Sequence, residues 1–156
     1  MKSVCVIGSG ISGSTIANLL SKKYKVDVYE KAKGIGGRSS HRRYLNKLGF
    51  DHGLQYISPK TSKFKKFCSG LQKKRVLKKW QGPHNFDHSK VLENKKHTKL
   101  IGAKGNNAIS KYLLRNINCI FGYELFKIER IRKNWKLSFL NGCLLYTSDA
   151  ADDLWC

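Results

Sequence analysis

The sequence predicts an α/β fold built on a parallel sheet, and three observations carry that prediction. Residues 2–7 (KSVCVI) form a short apolar, β-branched run. A glycine-spaced turn and an amphipathic run over residues 11–22 follow it. A second apolar run, Val26, Asp27, Val28 and Tyr29, then closes on the acidic Glu30. Strand, turn, helix and strand in that order make a crossover unit, which lays two strands side by side and parallel.

The turn reads GSGISG, with Gly8, Gly10 and Gly13 at the spacing of a dinucleotide-binding loop. Gly8 allows the tight turn, and Gly10 lets the backbone come close to a pyrophosphate. Gly13 lets the helix pack closely on the strand. Ile11 and Ser12 open the helix, whose N-terminal N–H groups and partial positive charge suit a diphosphate. Glu30 lies twenty residues past Gly10, where a carboxylate accepts hydrogen bonds from a ribose diol, and Lys31 stands beside it. The bland alternative is a glycine turn in a helix-covered sheet that binds nothing.

A second glycine cluster, Gly34-Ile35-Gly36-Gly37-Arg38, follows almost at once. The segment VIGSGISG…VDVYEKAKGIGGR resembles the N-terminal signature of the flavin-containing amine oxidase superfamily. Residues 50–56 (FDHGLQY) look like the flavin-proximal segment of its renalase-like branch, and residues 102–113 (GAKGNNAISKYL) follow that branch's order. The resemblance covers about residues 1–139. It implies a Rossmann-like FAD-binding fold with a parallel central sheet, an inserted excursion and an antiparallel β pair. It also implies FAD as cofactor and hydride transfer from a reduced nicotinamide species or an amine to flavin, with reoxidation by oxygen. In it the arginine after the double glycine, here Arg38, contacts the pyrophosphate; a guanidinium fork also matches phosphate oxygens. The alternative for Arg38 is a solvated basic loop with His41, Arg42 and Arg43. Gly53 would admit a flat ring close to the backbone. Gln55 offers a donor and an acceptor to its edges, and Tyr56 stacks or packs. The resemblance puts the backbone near Leu125 against the adenine. It names no catalytic side chain, and no Ser–His–Asp, paired-carboxylate or metal constellation is legible.

Further along, residues 33–46 read as a glycine-, serine- and arginine-rich loop. Residues 50–56 read as a short strand leading into a turn, and residues 59–71 as a helix. Phe64, Phe67, Cys68 and Leu71 recur at helical spacing there, a stripe expected in the core. His84 and His88 are four apart but flank Pro83 and Asn85 in a loop, so no metal site is expected. Residues 91–101 suggest a hairpin. Residues 106–115 read as a helix with Ala108, Ile109, Tyr112 and Leu113 on its apolar face. Residues 118–121 are the expected third parallel strand. Residues 124–131 and 134–140 read as an antiparallel pair, Trp135, Leu137 and Phe139 alternating with Lys136 and Ser138.

The tail is unlike the rest. Residues 143–153 (CLLYTSDAADD) look like one reading frame of a transposon adapter used in sequencing libraries. The native sequence is then expected to stop near Gly142, leaving an incomplete fold whose C-terminal part is missing and which is inactive by itself. Residues 143–147 also read as a return strand after an Asn141-Gly142 turn, and both readings hold together. The expected domains are residues 1–58, the N-terminal FAD-binding part; 59–101, an inserted piece of the substrate domain; 102–142, the return to the FAD-binding part; and 143–156, a non-native tail.

Composition bounds the rest. The 156 residues suffice for one domain with a modest core. Formal charge is +21, from 31 Lys and Arg against 10 Asp and Glu. A basic nucleic-acid-binding module is therefore an alternative. The cations, however, are scattered and mostly lysine, as in AT-rich genomes, so no specific nucleic acid is expected. A NAD-binding dehydrogenase is the alternative among enzymes. Five cysteines without a CxxC pair argue against a disulfide framework and for a cytoplasmic protein, with Cys5 and Cys119 as buried small hydrophobes. A lysine before an apolar run imitates a signal peptide, but the glycine spacing and the acid argue against export. No apolar run reaches ~18 residues, so no membrane partner is expected, only a small-molecule substrate.

Overall fold

The computed structural model describes residues 2–44, 48–81, 98–132, 134–147 and 152–155. The chain divides into two compact units, Met1–Ser39 with Ser110–Cys156, and Ser40–Ile109.

The first unit is a Rossmann-like α/β layer structure. Strand β1 (Ser3–Ile7) leads through the glycine turn into helix α1 (Ile11–Leu20), and β2 (Lys25–Glu30) returns parallel to β1 in the register Ser3↔Lys25 to Ile7↔Tyr29. Strand β7 (Asn118–Phe121) pairs parallel with the other edge of β2, Asp27 opposite Asn118. The order β1-β2-β7 is the one expected for the third strand, and among the described residues no strand covers the outer edge of β1. Alternation along the strands sorts the side chains onto two faces. Val6, Val26 and Val28 pack with Ala17 of α1 and with Leu114. On the opposite face Tyr29 meets Leu137, Phe139, Cys143 and Leu145. Tyr29 stacks on Phe139 with ring centroids 5.2 Å apart, and Tyr123 meets both rings edge-on.

That second face is covered by an antiparallel sheet in the order β11-β10-β9-β8. The expected pair is β8 (Leu125–Ile131) and β9 (Asn134–Phe139), joined by a turn in which Arg132 takes a left-handed φ of 55°. The return strand is β10 (Leu144–Thr147), Leu144 opposite Ser138. Strand β11 (Asp152–Trp155) extends the sheet further than the sequence suggests. The alternation in β9 holds for Leu137 and Phe139, whereas Trp135 is 47% exposed, with the Arg130 guanidinium 5.9 Å from its ring. Cys5 and Cys119 are half-buried rather than fully buried, and Cys143 is disulfide-bonded. Burial, and then the nearby Asp27, push the Cys119 thiol up.

In the second unit, β3 (His41–Tyr44) pairs antiparallel with β4 (Leu48–Asp51). The basic run expected to be loop is therefore partly strand. The His41 ring lies where Gly49 and Gly105 have no side chain, so a Cβ at either position would collide with it. Helix α2 (Ser62–Lys73) is capped by Thr61, whose hydroxyl accepts from Phe64 N at 3.3 Å. Cys68 and Leu71 are buried as expected, but Phe64 and Phe67 are 37% and 40% exposed and stack on each other. The stripe is apolar along its length but core only in its second half. Strand β5 (Leu77–Lys79) pairs antiparallel with β6 (Leu100–Gly102), and the first arm of the hairpin expected over residues 91–101 lies outside the described residues. His84, His88 and residues 91–97 lie outside the described residues. Helix α3 (Ala108–Leu113) is shorter than expected, because Asn106 and Asn107 are buried ahead of its first turn. From Ser110 on, α3 belongs to the first unit, where the Leu113 carbonyl accepts from Asn18 Nδ2 of α1 at 2.8 Å.

The tightest joint in the first unit is α1 on β1. A Cβ on Gly13 would overlap the Gly8 carbonyl oxygen. Gly13→Ala is expected to cost about 1–3 kcal/mol, the range of overpacking in a close-packed site. Urea denaturation of the paired proteins measures it; an unchanged midpoint would refute the close-packing account.

Candidate functional site

Gly8 leaves β1 with φ at +93°, a conformation that side chains with a Cβ rarely adopt, and turns the chain into α1. Its N–H donates to the Tyr29 carbonyl at 2.7 Å, which ties the turn to the end of β2. Gly10 is the N-cap of α1 with no side-chain cap, and the first turn holds no acidic residue. Four N–H groups at a helix start have no partner within the helix. Ile11 and Ser12 are exposed there. A Cβ on Gly10 would meet only Gly37 Cα and the Gly36 carbonyl, both at ordinary contact distance. The protein itself thus tolerates a side chain at Gly10, and the glycine keeps the space outside the turn open.

Glu30 ends β2 with its side chain turned back into that turn. It is only 6% exposed. Its Oε2 accepts from Ser9 N and from Ser9 Oγ, both at 2.7 Å, and its Oε1 accepts from Ala32 N at 2.9 Å. Burial pushes the carboxyl up, but the hydrogen bonds from Ala32 and Ser9, with the Lys31 charge beside them, outweigh it and hold the group below its ordinary value. Lys31 itself is exposed and pairs with Glu124 at 3.2 Å. A carboxylate has about four lone-pair sites. Among the described residues three are filled, which leaves one on Oε1.

The second glycine cluster is pinned to the first. Gly10 and Gly36 form a parallel bridge, and Gly36 N donates to the Ser9 carbonyl at 3.2 Å. Gly36 and Gly37 have φ of 137° and 53°, and a Cβ on Gly37 would press on Gly10 Cα at 3.2 Å. Both positions therefore need glycine. Arg38 follows in a short 3-10 turn (Gly37–Ser39) closed by Ser39 Oγ to the Gly36 carbonyl at 2.8 Å. It is exposed, and among the described residues it makes no ion pair. Leu125 begins β8, half-buried against the Tyr29 and Phe139 core. Tyr123 N donates to the Glu30 carbonyl at 3.1 Å, which brings the start of β8 beside the end of β2. The structure thus gathers Gly8, Gly10, Ile11, Ser12, Gly13, Glu30, Lys31, Gly37 and Arg38 around one turn, with Leu125 at its flank.

Gly53, Gln55 and Tyr56 belong to the second unit. Gly53 has φ of 108°. Tyr56 packs on Trp80 with centroids 5.3 Å apart, and Lys99 Nζ lies 4.5 Å over its ring. The Gln55 side chain is exposed. What holds this segment is a residue the sequence did not single out. Asn106 is fully buried. It donates from Nδ2 to the carbonyls of Leu54 at 2.7 Å and Gln55 at 3.2 Å, and accepts on Oδ1 from Gly102 N at 2.9 Å. Its own N–H donates to Asp51 Oδ1 at 2.8 Å, and the same oxygen meets His41 Nδ1 at 2.9 Å. Asp51 and Asn106 thereby join the FDHGLQY and GAKGNN segments. Ser9 is the corresponding omission in the first unit. Its signal in the sequence was faint, a small polar residue between two glycines that must end up buried.

A cavity of about 250 Å³ opens on the face of the parallel sheet away from α1, lined by Cys5, Asp27, Tyr29, Asn118, Ile120 and Leu145 among others. Asp27 and Asn118 in its wall satisfy each other at 2.6 Å. Among the described residues no group of three or more His, Cys, Asp or Glu side chains could hold a metal ion, and no helix is long and apolar enough to cross a membrane.

Comparison with known proteins agrees with this geometry. A family model described as an NAD(P)-binding Rossmann-like domain matches residues 6–71, which contain both glycine clusters and Glu30. The structure is similar to that of tetracycline destructase Tet(51), with a TM-score of 0.57 and 14% sequence identity. The match takes in 99% of this chain and 37% of that one, so the chain spans little more than a third of the length of that protein. At this identity the likeness is one of fold, and the fold shared is a Rossmann-like one.

Proposed function

We propose that the chain is the cofactor-binding part of a FAD-dependent oxidoreductase. The observation that carries this reading is the joint between the two glycine clusters. A helix N-terminus with no side-chain cap, an exposed Arg38 with no ion pair among the described residues, and a buried carboxylate held by Ser9 and Ala32 belong to the two glycine clusters that this joint ties together. An anionic diphosphate flanked by a ribose fits that set of groups. The amides of Ile11, Ser12 and Gly13 and the Arg38 fork would hold the phosphates, and Glu30 would hold the ribose. The start of β8 at Leu125 would lie along the adenine. Lys31 would act through the field it adds beside Glu30. Bound flavin supplies hydride acceptance; the residues of this chain bind and orient.

The second cluster favours FAD over a nicotinamide dinucleotide through its likeness to the GGR segment of the flavin-containing amine oxidase superfamily, since a phosphate contact from Arg38 would suit either cofactor. The renalase-like resemblance supports a reduced nicotinamide species or an amine as substrate, with oxygen as the final acceptor. The whole enzyme's reaction would need the remainder of a longer protein, and we read residues 143–156 as a non-native tail. Residues 1–58 and 102–142 would serve the cofactor, and 59–101 the substrate side. By the same resemblance Gly53, Gln55 and Tyr56, within residues 1–58, would be flavin-proximal. For location we propose the cytoplasm, which the thiols of Cys68 and Cys119 fit and the disulfide at Cys143 does not. A NAD-binding dehydrogenase is the second reading, favoured by the description of the matching family. The scattered lysines support no specific nucleic-acid site.

The protein expressed with its natural 3′ continuation is expected to purify with visible flavin bands, and isothermal titration is expected to show FAD binding well ahead of NADH. Tight NADH binding with no FAD binding would reverse the order of the two readings. The genomic sequence beyond codon 142 decides the tail. Arg38→Ala should weaken FAD by roughly 1.5–3 kcal/mol, the worth of a charge-assisted contact, with an unchanged circular dichroism spectrum. Unchanged affinity would return Arg38 to the solvated surface.

Glu30 also gives stability a pH signature. Its folded-state value is depressed, so its contribution is present above the unfolded value of about 4.3 and is lost as pH falls through the folded one. Glu30→Gln should therefore flatten the acid limb of the stability curve. Identical acid limbs in denaturant titrations of the two proteins would contradict the buried, hydrogen-bonded carboxylate.

A further inference from the structure

We propose that Ser9 is a positioning residue for ribose recognition, setting Glu30 so that one lone pair of Oε1 alone is presented to the ribose 2′-hydroxyl. The inference rests on the nucleotide-binding reading above, but not on the choice between FAD and a nicotinamide dinucleotide.

Ser9 is fully buried and every one of its polar groups is engaged. Its N–H and its hydroxyl both donate to Glu30 Oε2 at 2.7 Å. Two donors saturate that oxygen, so Oε2 has nothing left for a ligand. Ala32 N takes one site on Oε1 and leaves the other. Ser9 is itself immobilised from behind. Its carbonyl accepts from Ser14 Oγ of α1 at 3.1 Å and from Gly36 N at 3.2 Å. Ser14 is likewise fully buried. The chain of contacts therefore runs from α1 and the second glycine cluster, through Ser9, to the carboxylate. A carboxylate held at three sites cannot rotate to offer both oxygens to a diol. Its recognition is a single directed hydrogen bond, which makes it sensitive to where the bond points.

The test uses ADP and 2′-deoxy-ADP, because ADP is common to FAD and NAD, with the protein carrying its natural continuation. Isothermal titration of the wild type should show a preference for ADP of roughly ten- to a hundredfold, the worth of one hydrogen bond to a charged group. Ser9→Ala should bring that preference close to one. A purely structural Ser9 would weaken both ligands alike and leave the ratio in place. Ser9→Cys, nearly isosteric and a weak donor, should give an intermediate ratio. Ser9→Ala in a Glu30→Gln background should change the ratio no further, since both act through the same carboxylate. Variants that keep the wild-type ratio while the wild type binds FAD overturn the Ser9 assignment and leave the flavin reading standing. Loss of folding in both Ser9 variants, seen by circular dichroism, overturns it in favour of a structural role. A wild type that binds neither ADP nor FAD overturns the nucleotide-binding reading and this inference with it.

Discussion

The approach of α1 to β1 is the constraint on which the rest of the first unit depends. With no side chain on Gly13, the helix sits directly on the Gly8 carbonyl. That contact fixes the helix start above the end of β1, where Gly8 has already turned the chain. Ala17 then meets the valines of β1 and β2, and Asn18 reaches the end of α3. A larger residue at 13 would lift the helix, and the valine layer beneath would lose its cover. Close packing of this kind adjusts in small steps only, because interiors hold few voids.

A carboxylate buried in a chain of formal charge +21 is an electrostatic outlier, and it is stabilised locally. Of the lysines, only the neighbouring Lys31 adds to the stabilisation of Glu30. The carboxylate depends on three N–H and O–H donors supplied by its own neighbourhood. The same neighbourhood holds the second glycine cluster through the Ser9 carbonyl and the Gly10–Gly36 bridge. Two sequence segments separated by a helix and a strand therefore behave as one object. The polar interior of this unit is concentrated there, and its apolar interior lies in the two layers on either side of the sheet.

The sequence made this unit largely legible because two different periodicities and one glycine pattern agree in it. β1, α1, β2, β7, β8 and β9 are all strongly patterned. The second unit was harder. HRRY and LKK look like solvated surface, and they become strands only because partners at Leu48–Asp51 and Leu100–Gly102 present backbone to them. Phe64 and Phe67 show the limit of periodicity: spacing says which residues share a face, not what covers it. Ser9 and Asn106 show another. Each is a single polar residue whose importance lies in four hydrogen bonds being made at once, and no pattern in one dimension encodes that. The glycines could be read in advance because a missing side chain leaves a regular spacing behind.

The pairing of β2 with β7 has a kinetic consequence. Asp27 and Asn118 are ladder partners although the whole second unit lies between them in the chain. Closing a loop of that length costs about 4 kcal/mol in chain entropy, while β8, β9 and β10 join through short turns. Low-separation pairs form first and distant ones last. The antiparallel sheet is therefore expected to be present early, as a platform onto which Tyr29 docks. β7 would be added to the parallel sheet only after the intervening unit has drawn its ends together. Pulse-labelled hydrogen exchange would order the two events directly; protection of β7 amides ahead of β9 amides would refute that sequence.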